Sequence, residues 1–103
     1  MSAADPVTVV CRPDGRGWSC TVRVGSGGQT TEHEVSVSTG ELRRLAAGET
    51  EPTTLVELSF RFLLEREPKE SILRRFELSV IERYFPEYAA VIGQRDASPP
   101  RGR

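Results

Sequence analysis

The chain is short of lysine and histidine and has no long apolar run, and each shortage closes a route to function. Of its 14 basic residues only Lys69 is a lysine, and 15 acidic residues leave a formal net charge of −1. Binders of DNA or of membrane surfaces usually carry a clear basic excess, so the overall charge speaks against both. No stretch approaches the roughly 18 apolar residues that a membrane span needs. His33 is the single histidine, which leaves acid–base catalysis without a second imidazole. Cys11 and Cys20 form no Cys-x-x-Cys motif, and no His-x₃₋₅-His pair accompanies them, so zinc-type spacing is missing. The opening "MSAADPVTVV" has no basic region and only a short, β-branched apolar run, so no secretory leader is expected there. A cytoplasmic chain follows as the expectation, with both thiols reduced.

What is present suffices for one domain. A chain of 103 residues can bury a single core without metals or disulfides, on a thin stability margin. "VTVVCR" (7–12), "WSCTVRV" (18–24) and "TTEHEVSVS" (30–38) are separated by the turn-rich "PDGRG" and "GSGG". Trp18, Cys20, Val22 and Val24 alternate with Ser19, Thr21 and Arg23, and His33, Val35 and Val37 alternate with Glu32, Glu34 and Ser36. Period-2 alternation marks half-buried strands. With Cys11 opposite Cys20, Val9 meets Val22 and Val7 meets Val24, so all the apolar side chains share one face. That register takes "DGRG" as a four-residue loop.

Helices are expected to cover that face. Thr39 or Gly40 can start a short helix through "ELRRLAAG", closed by Gly48. Thr54 and Glu57 form a capping box ahead of "LVELSFRFLLERE". On a helical wheel Leu55, Val56, Leu58, Phe60, Phe62, Leu63 and Leu64 cover about two-thirds of the circumference, which is more than a small sheet is expected to hide. Pro68 suits the first turn of a further helix carrying Ile72, Leu73 and Phe76 inward. A second Ser-x-x-Glu box at Ser79 and Glu82 opens a last helix with Ile81, Tyr84, Phe85 and Tyr88 as its inward candidates, ended or kinked within two turns by Pro86. The expected fold is therefore α+β: a three-stranded antiparallel meander at the N-terminus, covered on one face by three to four C-terminal helices. Residues 1–6 are a flexible start and 7–92 the domain, with its sheet at 7–38 and its helical part at 39–92. Residues 93–103, rich in Pro, Gly and Arg, form a disordered tail.

Each chemistry candidate competes with a plainer role. "LRRFELSVIERYF" (73–85) superficially resembles a helix-turn-helix, but its second helix is mostly apolar, where base reading needs an exposed polar face. Residues 41–90 hold eight basic and ten acidic side chains, a net of −2, which supplies little phosphate attraction. A helical hairpin closing the core is the expected reading. Cys11, Cys20 and His33 share a face and can be imagined as metal ligands, a disulfide or a Cys–His dyad; two small core cysteines and a hydrogen-bonded sheet histidine are the ordinary outcome. "GSGG" joins two strands and opens no helix, so it is a hairpin loop and lacks the amide row of a phosphate cradle. Glutamates 65, 67, 70, 77, 82 and 87 interleave with Arg66, Lys69, Arg74, Arg75 and Arg83 as an ion-paired, solvated surface. Trp18 is a core or sheet-edge anchor.

The blocks "SFRFLLEREP" (59–68) and "YFPEY" (84–88), with "TEHEVSV" (31–37), resemble a group of short bacterial proteins of actinobacterial type. The resemblance covers most of the chain and implies a cytoplasmic bacterial protein forming one whole-chain domain. It brings no activity, ligand or catalytic residue. The reading is thus of a non-enzymatic interaction or adaptor protein with no cofactor and no metal, whose partner is another protein or a second copy. Phe60, Leu64, Arg74, Arg75 and Arg83 are its candidate interaction surface. The alternatives are a nucleic-acid-associated regulator using Arg74, Arg75, Arg83 and the tail, and an enzyme or small-ligand binder around Cys20 and His33.

Overall fold

The alternation of the first third becomes a sheet in the computed structural model, which describes residues 6–45 and 51–97. Strands β1 (Val7–Asp14), β2 (Gly17–Val24) and β3 (Thr31–Ser38) run antiparallel in sequence order. Cys11 faces Cys20, Val9 faces Val22 and Val7 faces Val24, as the apolar pattern requires. The β1–β2 connection is tighter than the four-residue loop expected, because Asp14 already pairs with Gly17. Only Gly15 and Arg16 lie between the strands, and Gly15 alone has a positive φ (63°). A glycine at the first loop position is what a type II′ turn needs. Gly25, at φ 105°, closes the next strand and donates its N–H to the Pro6 carbonyl (2.9 Å).

The sheet has a fourth strand. Ile72, Leu73 and Phe76, expected on a helix, lie instead on a path from a 3-10 turn (Lys69–Ser71) into β4 (Arg75–Glu77), which joins β3 in parallel. The Glu34 N–H donates to the Arg74 carbonyl (2.7 Å) and the Leu78 N–H to the Ser36 carbonyl (3.0 Å). β3 would otherwise present an open edge, and pairing satisfies its backbone groups. Arg75 and Glu77 are exposed while Phe76 and Leu78 are buried, a short run of period 2 inside a stretch with enough apolar residues to read as helical. The fold class is α+β as expected, with a mixed four-stranded sheet in place of an antiparallel three-stranded one.

Helix α1 (Thr39–Leu45) leaves β3 through a reciprocal cap. The Ser38 N–H donates to Glu41 Oε1 (2.8 Å), and the Glu41 N–H donates to Ser38 Oγ (3.0 Å). Glu41 Oε2 also accepts the Ser79 N–H (3.0 Å), tying α1 to the start of α3 (Val80–Tyr84). The working capping box is therefore at Ser38 and Glu41. At Ser79 no side-chain cap forms, and Glu82 pairs with Arg44 (3.0 Å). Helix α2 runs Pro52–Leu64 and opens on proline at its first turn, two residues before the box expected at Thr54. The stop at Gly48 lies outside the described residues. Before Pro86 α3 has ended, and α4 (Tyr88–Ala97) carries helix beyond residue 92; residues 98–103 lie outside the described residues.

The wide apolar arc of α2 is covered by its own chain. Leu55, Val56, Phe60, Phe62 and Leu63 are buried, against β1 and β2 on one side and α4 on the other. Phe60, expected on an interaction surface, is fully enclosed, with its ring centroid 5.3 Å from His33 and 6.0 Å from Phe76. Leu64 is half-buried. Phe60 is enclosed from the sheet side, by His33 of β3 and Phe76 of β4, while buried Tyr88 and Ile92 of α4, one turn apart, lie on the other side of α2, where Tyr88 is 5.3 Å from the Phe62 ring. Tyr84 reverses its expected place and is 67% exposed.

One buried polar contact fixes α2 on α4. Ser59 Oγ donates to the Leu55 carbonyl (2.8 Å), so its single proton is committed. The Tyr88 hydroxyl, 2.6 Å away, must then donate to Ser59, and burial pushes the phenol well above its ordinary pKa. Ser59→Ala strands a buried hydroxyl and should cost about 1–3 kcal/mol. Tyr88→Phe should cost about 1 kcal/mol, and the double variant less than the sum of the two. Urea unfolding of the four chains measures this directly, and strict additivity would contradict the assignment.

Candidate functional site

The first constellation from the sequence is not assembled as a reactive site. Cys11 and Cys20 are joined by a disulfide, where two reduced core cysteines were expected. The register that turns Val7 and Val9 toward Val24 and Val22 sets these two directly opposite each other, with Val10 left on the wet face. Cys20 is buried and Cys11 half-buried on edge strand β1. A bond closing so short a loop contributes about 2–3 kcal/mol through the unfolded chain. Reductant should therefore lower the denaturation midpoint of the wild type and leave that of a Cys11→Ala/Cys20→Ala chain unchanged.

His33 lies on the buried face opposite Val22, at 1% exposure. Its Nδ1–H donates to the Leu73 carbonyl (2.8 Å), which leaves Nε2 to accept from the Thr31 hydroxyl (2.9 Å). Both ring nitrogens are occupied and neither faces a cysteine. Burial lowers the imidazole pKa below its ordinary 6.5; the Leu73 carbonyl opposes this, nearby Arg74 adds to it, and Glu32 opposes it. Among the described residues no group of three His, Cys, Asp or Glu could hold a metal ion. The unfolded chain takes a proton that folded His33 refuses, so stability should fall as pH drops below 6.5. The loss approaches about 1.4 kcal/mol per pH unit until the folded pKa is reached. Melting scans between pH 8 and 5 should show this slope in the wild type and a flatter one in His33→Gln. Below pH 4.5 protonation of Glu34 and Glu87, whose pKa values are lowered, adds a separate loss.

The three arginines offered for interaction are all exposed and come from two elements, the entry to β4 and α3. Arg75 stands on the wet face of the sheet with Arg12 and Glu77, beside Glu34, whose pKa is held down first by the Thr21 hydroxyl (2.7 Å) and then by Ser19. Arg74 alternates to the other side and influences His33. Arg83 is exposed on α3. Trp18 is half-buried against the core opposite Val37.

A different feature, absent from the sequence reading as a site, opens where α2 ends. A cleft of about 290 Å³ lies between the C-terminal turn of α2, the segment entering β4, and α3. Ile72, Phe76 and Ile81 form its buried floor, Leu63 one wall, and Val80 with Phe85 the other. Leu73 (48% exposed) and Tyr84 (67%) are among its lining residues and are large apolar side chains left open to solvent. Pro68 and the β3–β4 pairing place Leu73 there: the chain turns away from α2, and its alternation into β4 points Ile72 in and Leu73 out.

Glu67 is the one carboxylate in the cleft lining. The described residues include five half-buried glutamates. Glu34 accepts from Thr21, Glu41 from Ser38 and Ser79, Glu57 pairs with Arg61, and Glu82 with Arg44. Glu67 has no side-chain partner among the described residues, and burial alone raises its pKa. Neighbouring Arg66 is committed elsewhere: its guanidinium lies 3.7 Å from the centre of the Phe62 ring, donates to the Phe62 carbonyl (3.2 Å) and pairs with Glu65 and Glu87. No protein-family model matches the chain, and no relative is found among curated proteins or solved structures. Among the described residues no helix is long and apolar enough to cross a membrane.

Proposed function

We propose that this chain is a non-enzymatic protein-interaction or adaptor module that holds its partner in the cleft between α2, β4 and α3. The observation that carries this reading is the apolar cleft itself, bordered by Leu73 and Tyr84, two of the three exposed large hydrophobic residues among the described residues, the third being Val10 on β1. Isolated exposed hydrophobes need no explanation, but two around a concave apolar surface mark a contact site. A catalytic reading finds less support, because His33 has both nitrogens engaged and Cys20 is bonded to Cys11. A nucleic-acid reading would need Arg74, Arg75 and Arg83 to act together, and Arg74 and Arg75 face opposite sides of β4.

The test is capture from native lysate with and without nuclease, using the wild type, Tyr84→Asp and Arg74→Ala/Arg75→Ala. Tyr84 is exposed, so its replacement should leave the fold intact, as circular dichroism would verify. Partners should survive nuclease, persist with the arginine variant and be lost at least tenfold with Tyr84→Asp. Partners that vanish with nuclease or with the arginine pair would overturn the reading.

A further inference from the structure

The interaction reading leaves open what enters the cleft, and Glu67 narrows the answer. Glu67 is the one ionised residue in a lining that is apolar apart from Ser71 and the Tyr84 hydroxyl, and it is partly withdrawn from water and without a side-chain partner among the described residues, while the other four half-buried glutamates are all satisfied. Partial burial of an unpaired carboxylate is unfavourable, and a cation from outside would relieve it. The space is also informative. A dry cavity of about 150 Å³ holds a benzene ring, so 290 Å³ admits roughly two bulky apolar side chains and little more.

We propose that the cleft receives a short segment of a partner protein that buries one or two bulky apolar side chains on Ile72, Phe76 and Ile81 and sets an adjacent Lys or Arg against Glu67. This rests on the interaction reading above and adds its specificity. The apolar contact supplies attachment, and the single carboxylate selects sign and orientation, because a segment with an acidic residue at that position would place like charges together.

The experiment displays a random heptapeptide library to the immobilised full-length chain and sequences the binders, for the wild type, Tyr84→Asp and Glu67→Lys. Wild-type binders should carry a bulky apolar residue within a few positions of Lys or Arg, and Tyr84→Asp should lose them. Glu67→Lys should weaken a synthetic wild-type binder by roughly tenfold and enrich Asp or Glu in place of the basic residue. Binders that depend on Tyr84 but show no basic preference, or that ignore Glu67→Lys, would overturn this proposal and leave the interaction reading standing. If no binder depends on Tyr84, both are overturned.

Discussion

A three-residue parallel pairing, Glu34–Ser36 of β3 against Arg75–Glu77 of β4, is the junction on which the other contacts rely. Parallel strands need a crossover, and here α1 and α2 supply it. Once β4 is seated, the Leu73 carbonyl reaches His33 Nδ1 and Phe76 meets the Phe60 ring, while Leu78 leads into α3 under the carboxylate of Glu41. Few backbone bonds hold β4, so side chains from three elements share the work of keeping it there.

The core is organised around α2, with the sheet beneath and α4 above. Its polar contents are few and each is satisfied: Ser59 with Tyr88 and the Leu55 carbonyl, and His33 with Thr31 and the Leu73 carbonyl. Among the described residues no buried side-chain nitrogen or oxygen lacks a partner. Glu67 stands apart from this economy because it is only half-buried, in an open cleft. The surface pairs, such as Arg61 with Glu57, are exposed and add little to stability.

The strands and their register were legible because alternation is a local signal that a one-residue slip would destroy. Two things were not. β4 is too short for its alternation to outweigh the apolar content around it, and its existence depends on an edge of β3 supplied from forty residues away. The cap at Ser38 and Glu41 was present as Ser-x-x-Glu but overlaps the strand end, where a strand pattern hides it. Phe60 misled as a candidate surface residue because wheel geometry counts apolar arc and cannot see β4, whose Phe76 meets the Phe60 ring. The cleft was invisible for a related reason: its walls come from three separated segments, and Glu67 looked like one more member of a charged series. Only burial and the absence of a partner distinguish it.

The disulfide has a mechanical consequence. β1 is an edge strand held on one side only, and its open end lies at Val7, with the Pro6 carbonyl tied to Gly25. Tension applied through the N-terminus loads those bonds one after another and unzips the hairpin from Val7. At Cys11 it meets a covalent link to Cys20 in the middle of the sheet. Peeling stops there, and further load passes into β2 and the core as shear across many contacts at once. An outer strand with a neighbouring strand on one side only becomes an anchor point.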